Sequence, residues 1–598
     1  MLMVWSLNIS SANALYEKES AGGFVVVGPL VSGSVCDFGR IQDAIASGAS
    51  EIRITSGVYA TGNEIVLDDT SIKLWGGYAT CEDAQNPGFQ ADEVATIVGG
   101  GLGPVITILG NSQRNSVELR NLIITNGTGT PLTTAGGIAA FNTDLSLRLT
   151  NIELIDNEGI LGGGMSIVGG DTQVIARNLL IRDNVAPDGG GLYCAGNSVF
   201  IQISDGSNPS MKSGILDNFA SNGDGGGIYM ETGCTIDLYS GTSNSSASID
   251  RRGIYRNKAQ GSPARGGGVY MQSGSHLILN GEEVCEESCL GNNEQPLNVN
   301  DNDALVGGGI FATGSTTVVD AFSVLLERND AENGGAGINM TNGATFNVDS
   351  LIPSCWSPGS CNQIISNRAD DGPGGAINVN LGGEVNINRA LIAFNQANEG
   401  TVANIFANTF AGPRGSISID NSVIVKNGGQ VLGFLDLSAF KTNGSSIRLN
   451  FSTIADNGVT EQVFLSIGNS IDNSSNINLT GNIIRENAVI YEEQGSFASL
   501  TGDCVLANND NTLLGEILTN VFEGNPVFLD PVNNDYHIDA SLSEALDLCE
   551  SDGSVAKDLD GEIRGFDDPN TVNVLGPYDA GADETYENDV IFVDGFEG

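Results

Sequence analysis

The sequence predicts an all-β fold, a right-handed parallel β-helix, which is a solenoid. Two marks recur along the 598 residues with a period of about 30 residues: a hydrophobic run ending in Asn, and a glycine corner followed by an aliphatic residue. The segments that touch these marks are short and rich in Ile, Val, Thr and Ser, without the i, i+3, i+4 spacing of helical repeats. Periods of this length are typical of solenoids.

The Asn mark suits a bend that every coil repeats. Asn tolerates the left-handed backbone conformation, and its amide can pair with an equivalent Asn in the next coil. The long gap between Asn257 and Asn329 indicates two repeats, with Asn292 as a degenerate member. The predicted marks are Asn126, Asn157, Asn184, Asn218, Asn257, Asn329, Asn367, Asn395, Asn427, Asn457 and Asn487.

The glycine mark indicates a second corner, at which no Cβ atom would fit. Examples are Gly190-Gly191-Leu192, Gly226-Gly227-Ile228 and Gly267-Gly268-Val269. Both marks are interpreted as scaffold that carries no chemistry. They predict one continuous β-helix over residues 101–520, preceded by an N-terminal cap and first coils over 15–100.

Composition restricts the partners. The chain carries 25 basic and 73 acidic residues, a net charge of −48, which would repel phosphate backbones and anionic lipids. We therefore expect no nucleic-acid or membrane-surface partner and favour divalent cations. No stretch approaches the ~18 consecutive apolar residues of a membrane span.

The N-terminus and the cysteines indicate export. Residues 1–14 form a short apolar run ending in Ala-Asn-Ala, which is interpreted as the remnant of a signal peptide, against a disordered tail as the alternative. An even number of cysteines without zinc-site spacing predicts disulfides in an exported chain, against free thiols in a cytosolic one. The candidates are Cys36, Cys81, Cys194, Cys234, Cys285, Cys289, Cys355, Cys361, Cys504 and Cys549. Pairing is open, but four pairs are near enough in the predicted coils or in sequence: Cys36 with Cys81 and Cys504 with Cys549 would each join one cap, and Cys285 with Cys289 and Cys355 with Cys361 would close small loops. Cys194 and Cys234 lie about a coil apart, and strand alternation predicts that Cys194 faces the bore.

The paired marks over roughly residues 120–510 resemble the repeats of chlamydial polymorphic outer-membrane proteins and of other bacterial parallel β-helix proteins. This resemblance implies a short capping helix at 41–45 and secretion or attachment to the outer membrane surface. Residues 521–585, with Asn525-Pro526, Asp535-Tyr536-His537 and Asp558-Leu559-Asp560-Gly561, resemble the terminal segment called choice-of-anchor Q. It implies an irregular C-terminal segment, followed by a tail at 586–598.

Four successive coils place an aromatic residue after the glycine corner: Tyr193, Tyr229, Tyr270 and Phe311. Strand alternation turns these rings outward, about 4.8 Å apart. They either bind a ligand such as a sugar or stack on one another to stabilise the sheet. Basic residues gather nearby at Arg251, Arg256 and Arg265 and could hold a carboxylate group, against a neutralising surface patch as the alternative.

Acidic residues crowd the C-terminal segment, where Asp558, Asp560, Asp567 and Asp568 are candidate ligands for a metal, with Asp579 and Asp583 beside them. Carboxylates on flexible loops suit calcium, although no EF-hand spacing is present, and the alternative is a solvated acidic surface.

No catalytic set is recognisable from the two histidines, His276 and His537, or from the hydrolase and protease motifs, so the catalytic residues are unknown. We therefore expect an exported, surface-attached, monomeric scaffold or adhesin that binds an extracellular glycan or surface protein without catalysis. The alternative is a polysaccharide lyase or glycosidase of the parallel β-helix type.

Overall fold

The computed structural model describes residues 23–585, except 31–34, 87–92, 111–114, 133, 142–143, 205–212, 240–252, 282–295, 350–361, 408–413, 429–439, 458–462, 469–473, 487–488, 494–497, 509–516, 551–555 and 561. Several predictions lie outside the described residues. They concern the signal-peptide remnant, the C-terminal tail, Arg251, Asn292, Asn487, Cys285, Cys289, Cys355 and Cys361.

The chain is a parallel β-helix, so the predicted fold class is confirmed. Each coil contributes to a large sheet A and to a smaller sheet B, and six coils add a two-residue strand to a sheet C. All strand pairs between coils are parallel in the described residues, and a right-handed turn is the hand that parallel connections take. Sheet B contains 14 described strands, which at ~4.8 Å per strand gives a rod about 60 Å long.

Sheet A has two arms in most coils, which meet at a bend with left-handed backbone. Its strands are Phe24–Val27, Glu51–Thr55, Gly57–Ala60, Ile72–Tyr78, Ala95–Val98, Asn115–Thr125, Leu145–Ile155, Asp171–Arg182, Ser198–Ser204, Gly214–Leu216, Thr235–Tyr239, Gly253–Tyr255, His276–Asn280, Leu297–Asn300, Val318–Phe322, Val324–Glu327, Thr345–Asp349, Asn362–Ile365, Glu384–Asn388, Ala390–Ala393, Ser416–Asp420, Val423–Val425, Ser446–Asn450, Thr453–Ala455, Ser475–Arg485, Ala498–Ala507 and Thr519–Glu523.

Sheet B follows the glycine corners, and sheet C follows the Asn bends. The strands of sheet B are Ile65–Asp68, Ile106–Leu109, Ile138–Phe141, Met165–Val168, Leu192–Ala195, Ile228–Glu231, Val269–Gln272, Ile310–Thr313, Ile338–Thr341, Ile377–Asn380, Ala403–Phe406, Phe440–Asn443, Val463–Gly468 and Val489–Glu493. Those of sheet C are Val185–Ala186, Phe219–Ala220, Lys258–Ala259, Asp303–Ala304, Asp330–Ala331 and Arg368–Ala369.

The core fills the bore of the helix. Along strands of sheet A such as Thr345–Asp349, Glu384–Asn388 and Ser416–Asp420, buried aliphatic side chains alternate with polar ones. Stacked Ile, Leu and Val side chains form one continuous apolar cluster from the first coils to the last. Cys194 lies in this cluster with no exposed surface, as the alternation predicts.

The Asn mark forms a buried ladder. In Asn184, the backbone N and the Nδ2 atom both donate to Oδ1 of Asn218 at 3.1 and 3.0 Å, and Nδ2 also donates to the Leu154 carbonyl at 2.9 Å. Each ladder Asn repeats this pattern toward the next coil. The members are Asn157, Asn184, Asn218, Asn257, Asn302, Asn329, Asn367, Asn395, Asn427 and Asn457.

Two of the predicted Asn positions differ from the positions of the ladder in the structure. Asn302, not Asn292, occupies the additional coil that the long gap predicted, because it accepts from Asn257 and donates to Asn329. Asn126 precedes the ladder position by one residue, and the backbone N of Gly127 donates to Asn157 instead. A hydrophobic run ending in Asn therefore finds the bend but can misplace its register by one residue.

The glycine corners allow close approach between coils. A Cβ on Gly190 would lie 2.4 Å from the carbonyl oxygen of Gly226 in the next coil, and one on Gly226 would lie 2.4 Å from that of Gly267. Real Cβ atoms do not come this close to backbone, so the interpretation of the corners as scaffold agrees with the packing.

Two short helices lie at the N-terminal end. They span Ile41–Ala46, which matches the expected capping helix, and Cys81–Gln85. In the first helix Ile41 and Ala44 are buried, and Ile41 packs into the bore. No helix among the described residues is both long and apolar enough to cross a membrane.

The C-terminal segment folds back along the side of the last coils. It contains an antiparallel hairpin, Phe528–Asp530 with Asp535–Ile538, joined by the 3-10 helix Pro531–Asn533. A second apolar cluster lies between the segment and the coils. Arg564 is buried there, and its Nε donates to Oδ1 of Asn421 at 3.0 Å.

Three disulfides join neighbouring coils or caps in the described residues. They are Cys36–Cys81, Cys194–Cys234 and Cys504–Cys549, with Cα–Cα distances of 5.3, 6.0 and 5.6 Å. The two predicted cap staples are confirmed.

Candidate functional site

The four predicted aromatic residues form a ring stack on the outer side of sheet B. The ring centroids of Tyr193 and Tyr229 are 5.3 Å apart, those of Tyr229 and Tyr270 are 4.8 Å apart, and those of Tyr270 and Phe311 are 5.5 Å apart. Parallel pairing in register places them in successive coils. The interpretation that the rings stack on one another is confirmed.

Polar side chains close one edge of the ring stack. The Tyr193 hydroxyl donates to Glu231, and Nε2 of Gln272 donates to the Tyr229 hydroxyl at 2.9 Å and to Glu231 at 3.0 Å. The Tyr270 hydroxyl donates to Oε1 of Gln272 at 3.0 Å. Burial, with Asp224 and Glu231 nearby, raises the pKa of Tyr270 to about 12 despite the opposing charge of Arg265. These hydroxyls therefore stay protonated at neutral pH.

An ion pair closes the other edge. Arg265 binds Asp224 with two hydrogen bonds, Nη2 to Oδ2 at 2.6 Å and Nε to Oδ1 at 3.1 Å. Its guanidinium carbon also lies 4.7 Å from the ring centroid of Tyr270 and 5.2 Å from that of Phe311. The backbone N of Asp224 donates to Asp188 at 2.9 Å, so the pairing continues one coil further.

The closed edges leave little of the ring stack accessible. Tyr193, Tyr270 and Phe311 are only 5%, 2% and 6% exposed, and Tyr229 is half-buried. Sugar binding through ring faces needs accessible ring area. Ligand binding by the ring stack stays a prediction, but its geometry favours a structural role.

The two described members of the predicted arginine group, Arg256 and Arg265, do not form one site. Arg256 is exposed and binds Asp217 of the preceding coil with two hydrogen bonds of 2.7 Å. Arg265 is committed to Asp224 in the same way. Each of these two guanidinium groups is therefore already paired with a carboxylate of this chain. The pairing agrees with the alternative interpretation, a surface patch in which basic residues neutralise acidic ones.

Sheet A carries an outward surface that the sequence reasoning missed. Seven successive coils place a polar side chain at the same register on the first arm. We name this set the polar column: Asp320, Asn347, Asn386, Ser418, Arg448, Asn478 and Thr501. Strings such as "EVNIN", "SISID" and "SIRLN", which alternate polar and aliphatic residues, indicate the outward positions of single strands but not their alignment between coils.

Hydrogen bonds connect the members of the polar column. Nδ2 of Asn386 donates to Oδ1 of Asn347 at 3.0 Å, and Nδ2 of Asn347 donates to Oδ1 of Asp320 at 2.8 Å. Nε2 of His276, one coil earlier, lies 2.7 Å from the other oxygen of Asp320. Hydrogen bonds to His276 and Asn347 outweigh burial and lower the pKa of Asp320. Asp320 is therefore a carboxylate at neutral pH.

The polar column remains accessible beside an aromatic ring. The side chains of His276 and Asp320 are 37% and 28% exposed, and Asn347 and Asn386 are partly exposed. Phe322 is two residues from Asp320, so it projects from the same face, where it is half-buried. Amide, carboxylate and hydroxyl groups next to a ring are the side chains that bind sugar hydroxyls and sugar faces.

The predicted metal ligands are divided between different places. The carboxylate of Asp558 is buried and accepts from the backbone N of Glu562 at 2.7 Å and of Glu584 at 3.2 Å, a structural role. Asp568 accepts from the Asn570 backbone at 2.8 Å and from the Thr571 hydroxyl at 2.9 Å. Asp567 is exposed nearby.

Asp560 instead lies with His537 and Asp583, and their ligand atoms are all within 4.8 Å of one another. The imidazole of His537 lies between two carboxylates: Nδ1 is 2.6 Å from Asp535, and Nε2 is 2.9 Å from Asp560. Although burial lowers its pKa, these two hydrogen bonds raise the pKa of His537 to about 11. The side chain is an imidazolium at neutral pH, so a metal ion would have to displace a proton there.

No protein-family model, curated protein or solved structure matches the chain. The functional argument therefore depends on the residues themselves.

Proposed function

We propose that this protein is an exported, rigid scaffold that binds a neutral polysaccharide along the polar column of sheet A. The observation that carries the proposal is the column itself, an unbroken line of amide, hydroxyl and charged side chains on seven successive coils. A regular spacing of ~4.8 Å matches an extended ligand that repeats along the rod.

The chemistry of the polar column fits sugar hydroxyl groups. Each Asn offers both donors and acceptors, and Asp320 offers acceptors that are fixed by His276 and Asn347. Partners of this kind form directional hydrogen bonds with hydroxyl pairs, while Phe322 offers a surface for a sugar face. The hydrogen bonds within the column fix these groups before a ligand arrives, which lowers the entropy cost of binding.

The negative net charge of the chain favours neutral glycans over acidic ones. A chain with a net charge of −48 repels polyuronates and sulfated glycans as it repels nucleic acids. The guanidinium groups of Arg256 and Arg265, which could have offset this repulsion, hold carboxylates of the chain itself. A neutral polysaccharide is therefore the favoured ligand.

Export and surface attachment are supported by two lines of argument. Disulfides persist in oxidising compartments, and three are formed here. The likeness of the repeats to polymorphic outer-membrane proteins and of residues 521–585 to choice-of-anchor Q segments supports attachment at a bacterial surface. In this proposal the C-terminal segment attaches the protein to the cell surface, and the coils bind the ligand.

The test is co-sedimentation of the purified chain with insoluble neutral polysaccharides, preceded by a glycan array to select them. We expect retention on neutral glycans and none on pectate or alginate, with no new reducing or unsaturated ends. Asn347→Ala with Asn386→Ala should reduce retention about tenfold, since two hydrogen-bonding side chains are lost.

Asn380→Ala is the matched control, because Asn380 is a partly exposed Asn at the end of a strand in sheet B. It should bind like the wild type. Equal retention of the double variant and the wild type would contradict the proposal, and turnover of any glycan would favour the lyase or glycosidase alternative.

A further inference from the structure

We propose that Asp547 is the central ligand of a calcium site, closed by the loop of residues 565–575. Its side chain is fully buried, and neither carboxylate oxygen has a hydrogen-bond partner. Buried charges in proteins are normally paired or bound to metal ions, so this carboxylate lacks a ligand of opposite charge. The inference is independent of glycan binding, since the polar column lies on a different part of the chain.

The backbone holds Asp547 in a fixed position. Its N–H donates to Oδ1 of Asp579 at 2.7 Å, and its carbonyl accepts from the backbone N of Val574 at 2.9 Å. Its φ of 47° places it in the left-handed region, which Asp tolerates better than most residues.

The charges that face Asp547 are other carboxylates. Burial contributes most to raising its pKa, to about 6, followed by Asp579 and then by Asp567 and Asp568. The backbone amide of Asp568 is near enough to oppose this rise, but it does not satisfy either oxygen with a hydrogen bond. The side-chain charges that act on the Asp547 carboxylate are therefore of its own sign.

The candidate ligands favour a hard cation, because the carboxylates of Asp547, Asp567, Asp568 and Asp579 offer only oxygen atoms. Asp568 also fixes the conformation of the loop by accepting hydrogen bonds from Asn570 and Thr571. Asp579 orients its carboxylate through Thr585, whose N and Oγ1 donate to Oδ2 at 2.8 and 2.7 Å. Calcium accepts six to eight oxygens in irregular loops, whereas magnesium demands octahedral geometry.

The neighbouring cluster of His537, Asp560 and Asp583 does not compete for this role. Both ring nitrogens of His537 already hydrogen-bond to carboxylates, Nδ1 to Asp535 and Nε2 to Asp560, so neither offers a lone pair to a metal ion. Asp547 has no such partner, and this difference decides between the two clusters.

The experiment uses the full chain, treated with a chelator and then dialysed. Calorimetric titration with CaCl2 should show one site in the range of extracellular calcium modules, about 0.1–1 mM, and weaker binding of MgCl2. Asp547→Asn should lower calcium affinity at least tenfold. Asp171→Asn, which removes an exposed charge on a distant coil, should leave the affinity unchanged.

Thermal unfolding separates ligation from a purely structural role. Without calcium, Asp547→Asn should raise the Tm, because it removes an unpaired buried charge; with calcium, the wild type should be the more stable protein. A structural carboxylate would instead give a lower Tm for the variant in both conditions, which would overturn the proposal.

Asp567→Asn keeps the test informative if Asp547→Asn does not fold. Asp567 is exposed, so its replacement should weaken calcium binding several-fold without changing the Tm of the metal-free protein. Absence of calcium binding to the wild type up to about 10 mM, well above the expected range, would also overturn the proposal.

Discussion

At the scale of single residues, one position of the Asn ladder is occupied by an acid, Glu486. Glu486 is 2% exposed, and its Oε1 accepts from Nδ2 of Asn457 at 2.7 Å and from the Asn457 backbone at 3.3 Å. Its own backbone N donates to Asn508 at 3.1 Å, which continues the ladder. The longer side chain of Glu reaches the ladder from one position before the predicted Asn487.

Glu486 makes stability depend on pH. Burial is the main cause that raises its pKa from 4.5 to about 8, with Asp456 raising it further and Asn457 and Arg485 opposing. The hydroxyl of Tyr536, bonded to Asp456, is the other titratable group near it. Because the folded protein holds this proton more tightly, the stabilisation is complete below pH 4.5 and is lost as pH rises toward 8.

We predict that Glu486→Gln removes this dependence, since the amide oxygen still accepts from Asn457 without a charge. At pH 8 the variant should exceed the wild type by at most ~4 kcal/mol, and the difference should shrink toward pH 5. Denaturant midpoints at both pH values measure it, with the exposed Glu523→Gln as control. A constant difference between the two pH values would contradict the assignment of the proton to Glu486.

At the scale of elements, the ring stack shows how outward side chains stabilise a coil. The rings span four coils and are bounded by the Glu231–Gln272 hydrogen bonds and by the Arg265–Asp224 ion pair. The sequence predicted the rings and their direction, because strand alternation is local. It did not predict their burial, because the closing groups come from coils about 40 residues apart.

We predict that Tyr270→Ala costs ~3–5 kcal/mol, since it leaves a cavity between Tyr229 and Phe311. Tyr270→Phe keeps the stack, loses only the bond to Gln272 and should cost about 1 kcal/mol. Phe406→Ala, at an exposed ring on the same sheet, is the control. Denaturant unfolding would contradict this account if Tyr270→Ala were as stable as the control, and the ligand interpretation of the rings would then regain support.

The polar column illustrates the opposite case at this scale. Each of its strands reads as an ordinary alternating segment, and only the register between coils aligns Asp320, Asn347 and Asn386. Insertions of unequal length, such as residues 350–361, separate these positions irregularly in the sequence. Spacing along the chain therefore could not reveal a column that exists only between coils.

At the scale of the whole molecule, the period of the two marks was enough to predict the fold. A β-helix requires only short strands and repeated corners, because its coils are joined by backbone hydrogen bonds and its bore is filled by aliphatic side chains. Short strands and corners can each be recognised from a few consecutive residues of the sequence. The C-terminal segment leaves no such period. The position of Arg564 depends on long-range packing, because its Nε donates to Asn421, 143 residues earlier in the chain.

The central claim, that the polar column of sheet A is the ligand surface, is tested most directly by hydroxyl-radical footprinting of the chain with and without a retained polysaccharide. We expect protection of His276 and Phe322, which project from the face of sheet A, and unchanged oxidation of Phe406, which is 37% exposed on sheet B. Protection of Phe406 with unchanged oxidation of His276 and Phe322 would contradict the claim.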